Sequence, residues 1–253
     1  MKSLEVLFSP AEFAALRQRD LSATVCVVFD ILRATSSMIT ALAHGAEAVV
    51  PANDIAEALE ARRLRPDALL AGERHGLRIG ADLTGGIEFD CGNSPREFTH
   101  ERVAGRTLIM TTTNGTRALR ACAGAAEVLV GSFLNLGTVA KFLRDARGAE
   151  AKHLVLVCSG TYEEASFEDT LAAGALADRI WAQIPEGAVA DSAQIARQTY
   201  LRHQGDLLGA MQSARNGRRL LGLPELKDDV AECLRRDTVD LLAAMRGGEV
   251  RPT

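Results

Sequence analysis

LIMTTTNGTRAL, residues Leu108 to Leu119, passes from an apolar strand through a polar turn into an amphipathic helix. Leu108 to Met110 have strand character, Asn114 and Gly115 turn the chain, and Thr116 opens the helix. The passage leaves hydroxyls, an amide and backbone N–H groups around one point, beside the positive end of a helix dipole. Such a point suits an anion such as phosphate. The plainer alternative is a strand-to-helix turn in which Thr116 acts only as an N-cap. A cap needs one hydroxyl, whereas four threonines stand here, so anion binding is the expectation.

The same strand–turn–helix unit repeats on both sides. Strands are predicted at Ser3–Phe8, Thr24–Phe29, Ala46–Pro51, Ala68–Ala71, Thr107–Met110, Glu127–Gly131 and His153–Cys158. Helices are predicted between them at Thr35–His44, Asp54–Arg65, Thr116–Ala123 and Thr138–Arg147. Alternation of this kind, with unbroken Val/Leu/Ile runs, specifies an α/β fold whose mostly parallel sheet is covered on both faces. Beyond residue 166 the pattern becomes helical, with Phe167–Gln183, Ala188–Arg202 and Asp228–Arg235 as candidates; Asp237–Met245 reads equally as strand or helix. Residues 72–95 are glycine-rich and lack periodicity, so they are expected to form a long functional loop. No linker or repeat divides the chain, which reads as one domain over residues 1–253, with a second lobe from near residue 160 left open.

Composition narrows the function classes. The 253 residues include 47% hydrophobic and 25% charged residues, as in an ordinary globular protein. A net charge of −4 argues against a nucleic-acid or anionic-membrane partner. No apolar run reaches membrane-spanning length, and Leu4 to Phe8 is too short for a signal-peptide core. Cys26, Cys91, Cys122, Cys158 and Cys233 are scattered without a CxxC pair, as expected of reduced thiols in the cytoplasm. Homo-oligomerisation is left open.

Four polar clusters stand at predicted strand ends: Asp30, Arg33, Thr35 and Ser36; Glu73 and Arg74; the TTTNGTR turn with Arg117; and Glu168 with Asp169. Ligands of open α/β sheets bind beyond the carboxyl ends of strands, so all four are expected to face one crevice. The arginines and the threonine turn suit anions, whereas the acids offer the hard oxygens that Mg²⁺ prefers. A phosphate ester together with a divalent metal reconciles the two sets. Each residue also has a structural alternative: Arg33 with Asp30 as an ion pair, Glu168 and Asp169 as complements to a helix dipole, Arg117 as a solvated side chain.

The chain has no Walker lysine, GxSxG or HExxH sequence. Neither Cys91 nor Cys158 has the arginine six positions on that a cysteine phosphatase requires, and His75 is the one histidine in a candidate position. A haloacid-dehalogenase-type phosphatase would use Asp30 as nucleophile but needs a second Asp where Leu32 stands.

The combination FDILRATSSM, AGERHG, DCGNSP, TTTNGTRAL, GSFLN, CSGTYEEASFEDTLAAG and DDVAECLRRD resembles the 2-phosphosulfolactate phosphatase (ComB-like) family, in order from residue 29 to about residue 237. The spacing between the GER and GNSP elements looks longer than that family's pattern. The resemblance implies a three-layer α/β/α fold. It also implies a Mg²⁺-dependent phosphomonoesterase that converts (2R)-2-phospho-3-sulfolactate to sulfolactate and phosphate, with a role in coenzyme M synthesis in methanogens.

On this reading Asp30, Glu73 and Asp169 hold Mg²⁺, and Glu168 either supports those ligands from behind or acts as general base toward a metal-activated water. Thr113, Asn114, Gly115 and Thr116 cradle the phosphoryl oxygens. Arg33, Arg74 and Arg117 receive the carboxylate and sulfonate; Thr35, Ser36, Asn93, Ser94, Ser132 and Asn135 complete the expected substrate contacts. The alternatives are a phosphatase of another 2-phospho acid with Asp30 as covalent nucleophile, and a non-catalytic binder of anionic metabolites.

Overall fold

The computed structural model describes residues 2–145 and 152–253. Its strands are β1 (Ser3–Leu7), β2 (Thr24–Phe29), β3 (Ala48–Pro51), β4 (Leu69–Arg74), β5 (Leu77–Arg78), β6 (Thr107–Thr111), β7 (Glu127–Gly131), β8 (His153–Cys158), β9 (Ala243–Arg246) and β10 (Glu249–Pro252). They form one sheet in the order β1-β8-β2-β7-β9-β10-β3-β6-β4-β5. Two parallel blocks, β1-β8-β2-β7 and β3-β6-β4, flank the antiparallel hairpin β9–β10. That hairpin meets β7 through the pair Leu129–Ala244 and β3 through Val49–Val250.

The helices longer than one turn among the described residues are α1 (Ala34–Ala43), α2 (Ile55–Leu64), α3 (Gly115–Ala121), α4 (Leu136–Arg144), α5 (Phe167–Ile180), α6 (Asp191–His203), α7 (Leu207–Met211), α8 (Arg215–Leu221) and α9 (Lys227–Cys233). They cover both sheet faces, and the strand period of two shows how. Along β2, Val25, Val27 and Phe29 pack in the core beneath α4, α5 and α6, while Cys26 and Val28 pack in the core beneath α1 and α3. All six residues of β2 are buried, as a strand covered on both faces requires. The fold is three-layer α/β/α with a mostly parallel sheet.

The predicted strands fall within a few residues of the observed ones, and Asp237–Met245 resolves into the approach to β9. The helix expected at Thr138–Arg147 begins earlier, at Leu136, after the 3-10 turn Phe133–Asn135; residues 146–147 lie outside the described residues. Segment 72–95 corrects the expectation of a structureless loop. Strand β4 runs on through Glu73 and Arg74 and turns back into β5, with Glu73 opposite Arg78 and Arg74 opposite Leu77. His75 and Gly76 form the two-residue turn at φ 54° and 80°, the paired positive values of a type I′ hairpin. His75 is exposed on this turn and does not line the cavity described below.

Candidate active site

A cavity of about 610 Å³, counting its solvent-facing mouth, opens at the carboxyl ends of the strands. It is lined by Asp30 after β2, Glu73 at the end of β4, Thr112, Thr113 and Asn114 after β6, and Gly160 to Tyr162 after β8. Glu168 and Asp169 from the first turn of α5, Arg33, Asn93, and residues of α8 complete the wall. Members of all four polar clusters therefore meet, as the strand-end rule requires.

Each acid is held by donors that its local fold supplies. Asp30 Oδ1 accepts from Ala34 N–H at 3.0 Å, where α1 begins. Asp169 accepts from Ile31 N–H at 2.8 Å and Gly160 N–H at 3.1 Å, so it ties the loops after β2 and β8 together. Glu168 Oε1 accepts from Asn216 Nδ2 at 2.6 Å. Glu73 Oε1 accepts from Thr113 N–H at 3.0 Å and Thr113 Oγ1 at 2.9 Å, and its Oε2 accepts from Gly76 N–H at 2.7 Å. The four carboxyls line one cavity, with Glu73, Glu168 and Asp169 buried and Asp30 partly so. Burial, only partly offset by the Ala34 N–H, raises Asp30 to about 7, and the charges of Glu73 and Glu168 push the same way. Burial, then the Asp30 and Glu168 charges, holds Asp169 well above the usual carboxylate range, and burial raises Glu168. An added cation would reverse that repulsion.

The anion-binding residues divide. Arg33 is buried in the wall, with Nη1 donating to Asp229 Oδ2 and Nη2 to the Gly76 carbonyl, both at 2.6 Å. Asp229 also accepts from Ser94 Oγ and Arg96 Nε, both at 2.7 Å, so Ser94 serves this ion network. Arg74 turns toward β6, donating to Thr111 Oγ1 at 3.0 Å, and Arg117 pairs with Glu163 at 3.1 Å in solvent; neither lines the cavity. Ser132 and Asn135 are also elsewhere. Asn135 Oδ1 accepts from Ser132 N–H at 2.9 Å and its amide donates to the Val130 and Leu241 carbonyls, which fixes the turn into α4. Thr35 and Ser36 donate back to the carbonyls of Asp30 and Ile31 at the start of α1.

The turn after β6 is more self-contained than four free threonines would be. Thr111 accepts from Arg74, Thr113 holds Glu73, and Thr116 Oγ1 donates to the Thr112 carbonyl at 3.3 Å. The Asn114 amide donates to the carbonyls of Ser159 (2.9 Å) and Tyr162 (3.0 Å). Gly115 lets the turn approach β2, since a Cβ there would stand 2.6 Å from Asp30 Oδ2 and 2.7 Å from Ala34 Cβ. The side-chain oxygens of Asn93 and Asn114, two residues that line the cavity, are buried without a partner among the described residues.

The sequence profile of 2-phosphosulpholactate phosphatase matches residues 12–248. A probable 2-phosphosulfolactate phosphatase of Caldanaerobacter subterraneus is 37% identical over 243 residues, covering 94% of this chain and 95% of the relative. One of Symbiobacterium thermophilum is 36% identical, covering 91% and 95%, and one of Gloeobacter violaceus is 41% identical, covering 85% and 86%. The chain belongs to the 2-phosphosulfolactate phosphatase family.

In this family member, the part of the cavity wall that comes from α8 was not legible from the strand-end pattern. Asn216, Arg219 and Leu220 line it, yet helices and not a strand directly precede them in the sequence, so a search of strand ends does not reach them. The available signal was Asn216-Gly217, two poor helix formers inside an arginine-rich helical stretch. The thiols take no part: all five cysteines are buried and free, and burial raises Cys91 to about 11 and Cys233 to about 12, far from thiolate chemistry. Among the described residues no helix is long and apolar enough to cross a membrane.

Proposed function

We propose that this chain hydrolyses 2-phospho-3-sulfolactate to 3-sulfolactate and phosphate, with Mg²⁺ as cofactor. One observation carries the reading: in a member of this family, Asp30, Glu73, Glu168 and Asp169 line one cavity with Arg33 and Arg219. That mixture suits a polyanionic ester accompanied by a cation. Among the described residues no three His, Cys, Asp or Glu side chains stand ready as a metal cluster. The donor chemistry nevertheless fits Mg²⁺. The Asp30 and Asp169 carboxyls are raised by burial and by neighbouring carboxylate charges, Glu73 and Glu168 on Asp30 and Asp30 and Glu168 on Asp169, and the orphaned amide oxygens of Asn93 and Asn114 are hard donors with no hydrogen to accept. Asp30, Glu73 and Asp169 would hold the ion, with those amide oxygens beside them. When bound, Mg²⁺ supplies Lewis-acid polarisation of the phosphoryl oxygens.

The chain's own groups account for the rest. Arg33 is fixed by Asp229 and the Gly76 carbonyl, so its charge is preorganised against negative charge that grows on the phosphoryl oxygens. Glu168 is buried, raised and oriented by Asn216, and it accepts the proton of the attacking water. The bond from phosphorus to the substrate's C2 oxygen breaks as the water oxygen bonds to phosphorus; the departing alkoxide takes a proton from solvent to become the 2-hydroxyl of sulfolactate, and Glu168 returns its own proton to solvent.

The test is phosphate release from racemic 2-phospho-3-sulfolactate, with Mg²⁺ and again with excess EDTA. Release that depends on Mg²⁺ and stops at half of the racemate is expected. Glu168→Gln should retain its fold by circular dichroism and lose at least about 100-fold in rate. Absence of release in both conditions overturns the reading, and undiminished release in EDTA removes the metal from it.

A further inference from the structure

Arg219 is the cavity arginine with no partner among the described residues. Arg33 is engaged by Asp229 and the Gly76 carbonyl, Arg74 by Thr111, and Arg117 by Glu163. Arg219 is half-buried on α8 and lines the cavity. Its guanidinium lies against Gly76: a Cβ built on that residue would stand 3.0 Å from Nη2, 3.5 Å from Cζ and 3.8 Å from Nε. A side chain there would need the fork to give by a few tenths of an ångström and would strain the backbone at φ 80°.

Gly76 is itself fixed by the residues of the cavity. Its N–H donates to Glu73 Oε2 at 2.7 Å and its carbonyl accepts from Arg33 Nη2 at 2.6 Å. The two guanidinium groups thus flank one tethered residue, Arg33 at its carbonyl and Arg219 at its α-carbon. One turn earlier on α8, Asn216 donates to Glu168 Oε1 at 2.6 Å and to Thr161 Oγ1 at 2.7 Å, and Leu220 is buried. The helix that carries Arg219 is therefore indexed directly to the carboxylate proposed as base.

We infer that Arg219 is the specificity-determining residue that receives the sulfonate of the substrate, an inference that rests on the proposed phosphatase reading. The substrate's carboxylate shares C2 with the phosphate ester and must lie close to the reacting phosphorus. The buried Arg33, beside Asp30, serves that inner position. The sulfonate stands one carbon farther out, on C3. Arg219 is the cation at the corresponding outer position, with its donors free. A guanidinium fork meets a sulfonate through two parallel charge-assisted hydrogen bonds, and an ester with a methyl group in that place leaves the fork unpaired. Discrimination by an unpaired polar group is the kind a hydrophobic pocket cannot achieve.

The full chain with Mg²⁺ is assayed on 2-phospho-3-sulfolactate and on 2-phospholactate, as wild type, Arg219→Ala and Arg219→Lys. Wild type should prefer the sulfonated ester. Arg219→Ala should lose roughly 30- to 100-fold in kcat/KM on that ester and clearly less on 2-phospholactate, so that the preference between the two esters collapses, with Arg219→Lys between. Titration calorimetry with 3-sulfolactate should show the same order of weakening, and lactate should bind all three proteins alike. Equal losses on both esters, or no loss on either, overturn the assignment while leaving the phosphatase reading intact. Wild type inert on both esters overturns the phosphatase reading, and calorimetry then decides Arg219 alone: sulfolactate binding that ignores the substitution removes it.

Discussion

Asp229 accepts three charge-assisted or hydroxyl donors, from Arg33, Ser94 and Arg96, while fully buried. A carboxylate in that position is costly to desolvate, and the ion pair is retained because both of its oxygens are met, Oδ2 by Arg33 and Oδ1 by Ser94 and Arg96. Removing it leaves the Arg33 guanidinium, 4% exposed, with an uncompensated charge beside the cavity. Asp229→Ala should therefore cost about 3–5 kcal/mol, read as a fall of the thermal midpoint by roughly 10 °C. The double variant Arg33→Met with Asp229→Leu should recover part of that stability and none of the phosphatase activity. Recovery of both would show that Arg33 serves only the fold. Residue-scale chemistry was half legible in the sequence. Asp30, Glu73, Glu168 and Asp169 could be found because an acid directly after an apolar strand, or opening the next helix, has an address at the strand ends. Arg74 and Arg117 share that address but point elsewhere, because Thr111 and Glu163 engage them first. Address follows from pattern; direction follows from neighbours 37 and 46 residues away.

At the scale of elements, Asp237 clamps two helices that share no backbone pairing. It accepts from Gly137 N–H at 2.6 Å at the start of α4 and from both Nη atoms of Arg179, at 2.9 and 2.6 Å, near the end of α5. Burial alone would raise its pKa, but the Arg179 hydrogen bonds, the Gly137 N–H and the Arg179 charge outweigh it and hold the carboxyl below its ordinary value. A depressed carboxyl contributes stability above its unfolded pKa, near 4, and loses it as pH falls through the folded value. The side chain is 40% exposed, so screening limits the whole increment to about 1 kcal/mol or less. Asp237→Asn keeps the positive φ of 52° that this position needs, since Asn tolerates the left-handed region. Its melting curve should lie a few degrees below wild type at neutral pH, begin to approach it near pH 4 and merge with it only below the depressed value of the folded carboxyl; a gap that persists in stronger acid would assign the effect to shape instead of charge. Most elements were legible for one physical reason: β2, β7 and β8 are unbroken apolar runs, and a strand buried on both faces has no other composition open to it. Hairpin β4–β5 was not, because His75-Gly76 lacks the Asn or Asp that usually marks a type I′ turn. Strand β10 escaped for a related reason, since Glu249 to Pro252 has one apolar residue facing the core, Val250.

Across the whole molecule, the cavity draws on both parallel blocks of the sheet, with Asp30 and Gly160 from one and Glu73 and Asn114 from the other. Two kinds of link hold the blocks. In the sheet, hairpin β9–β10 contributes Val250, which is fully buried and pairs with Val49 of β3. At the cavity, Asn114 after β6 donates to the Ser159 and Tyr162 carbonyls after β8. The links differ in energy type, so they should fail differently. Val250→Ala removes two methyl groups from a closed core and should cost roughly 2–3 kcal/mol, a fall of roughly 4–10 °C in the thermal midpoint. The Asn114 clamp remains, so kcat/KM at room temperature should change less than about threefold. Asn114→Ala should show the opposite balance. It leaves the buried Ser159 carbonyl and the part-buried Tyr162 carbonyl without that donor, a loss of about 1–3 kcal/mol, but it frees the β8 loop from the turn that positions Glu73, and activity should fall at least about 100-fold. Paired melting curves and initial rates on the two variants separate the roles. If both lose stability and activity in the same proportion, the blocks move as one rigid body and the division of labour between hairpin and clamp is wrong.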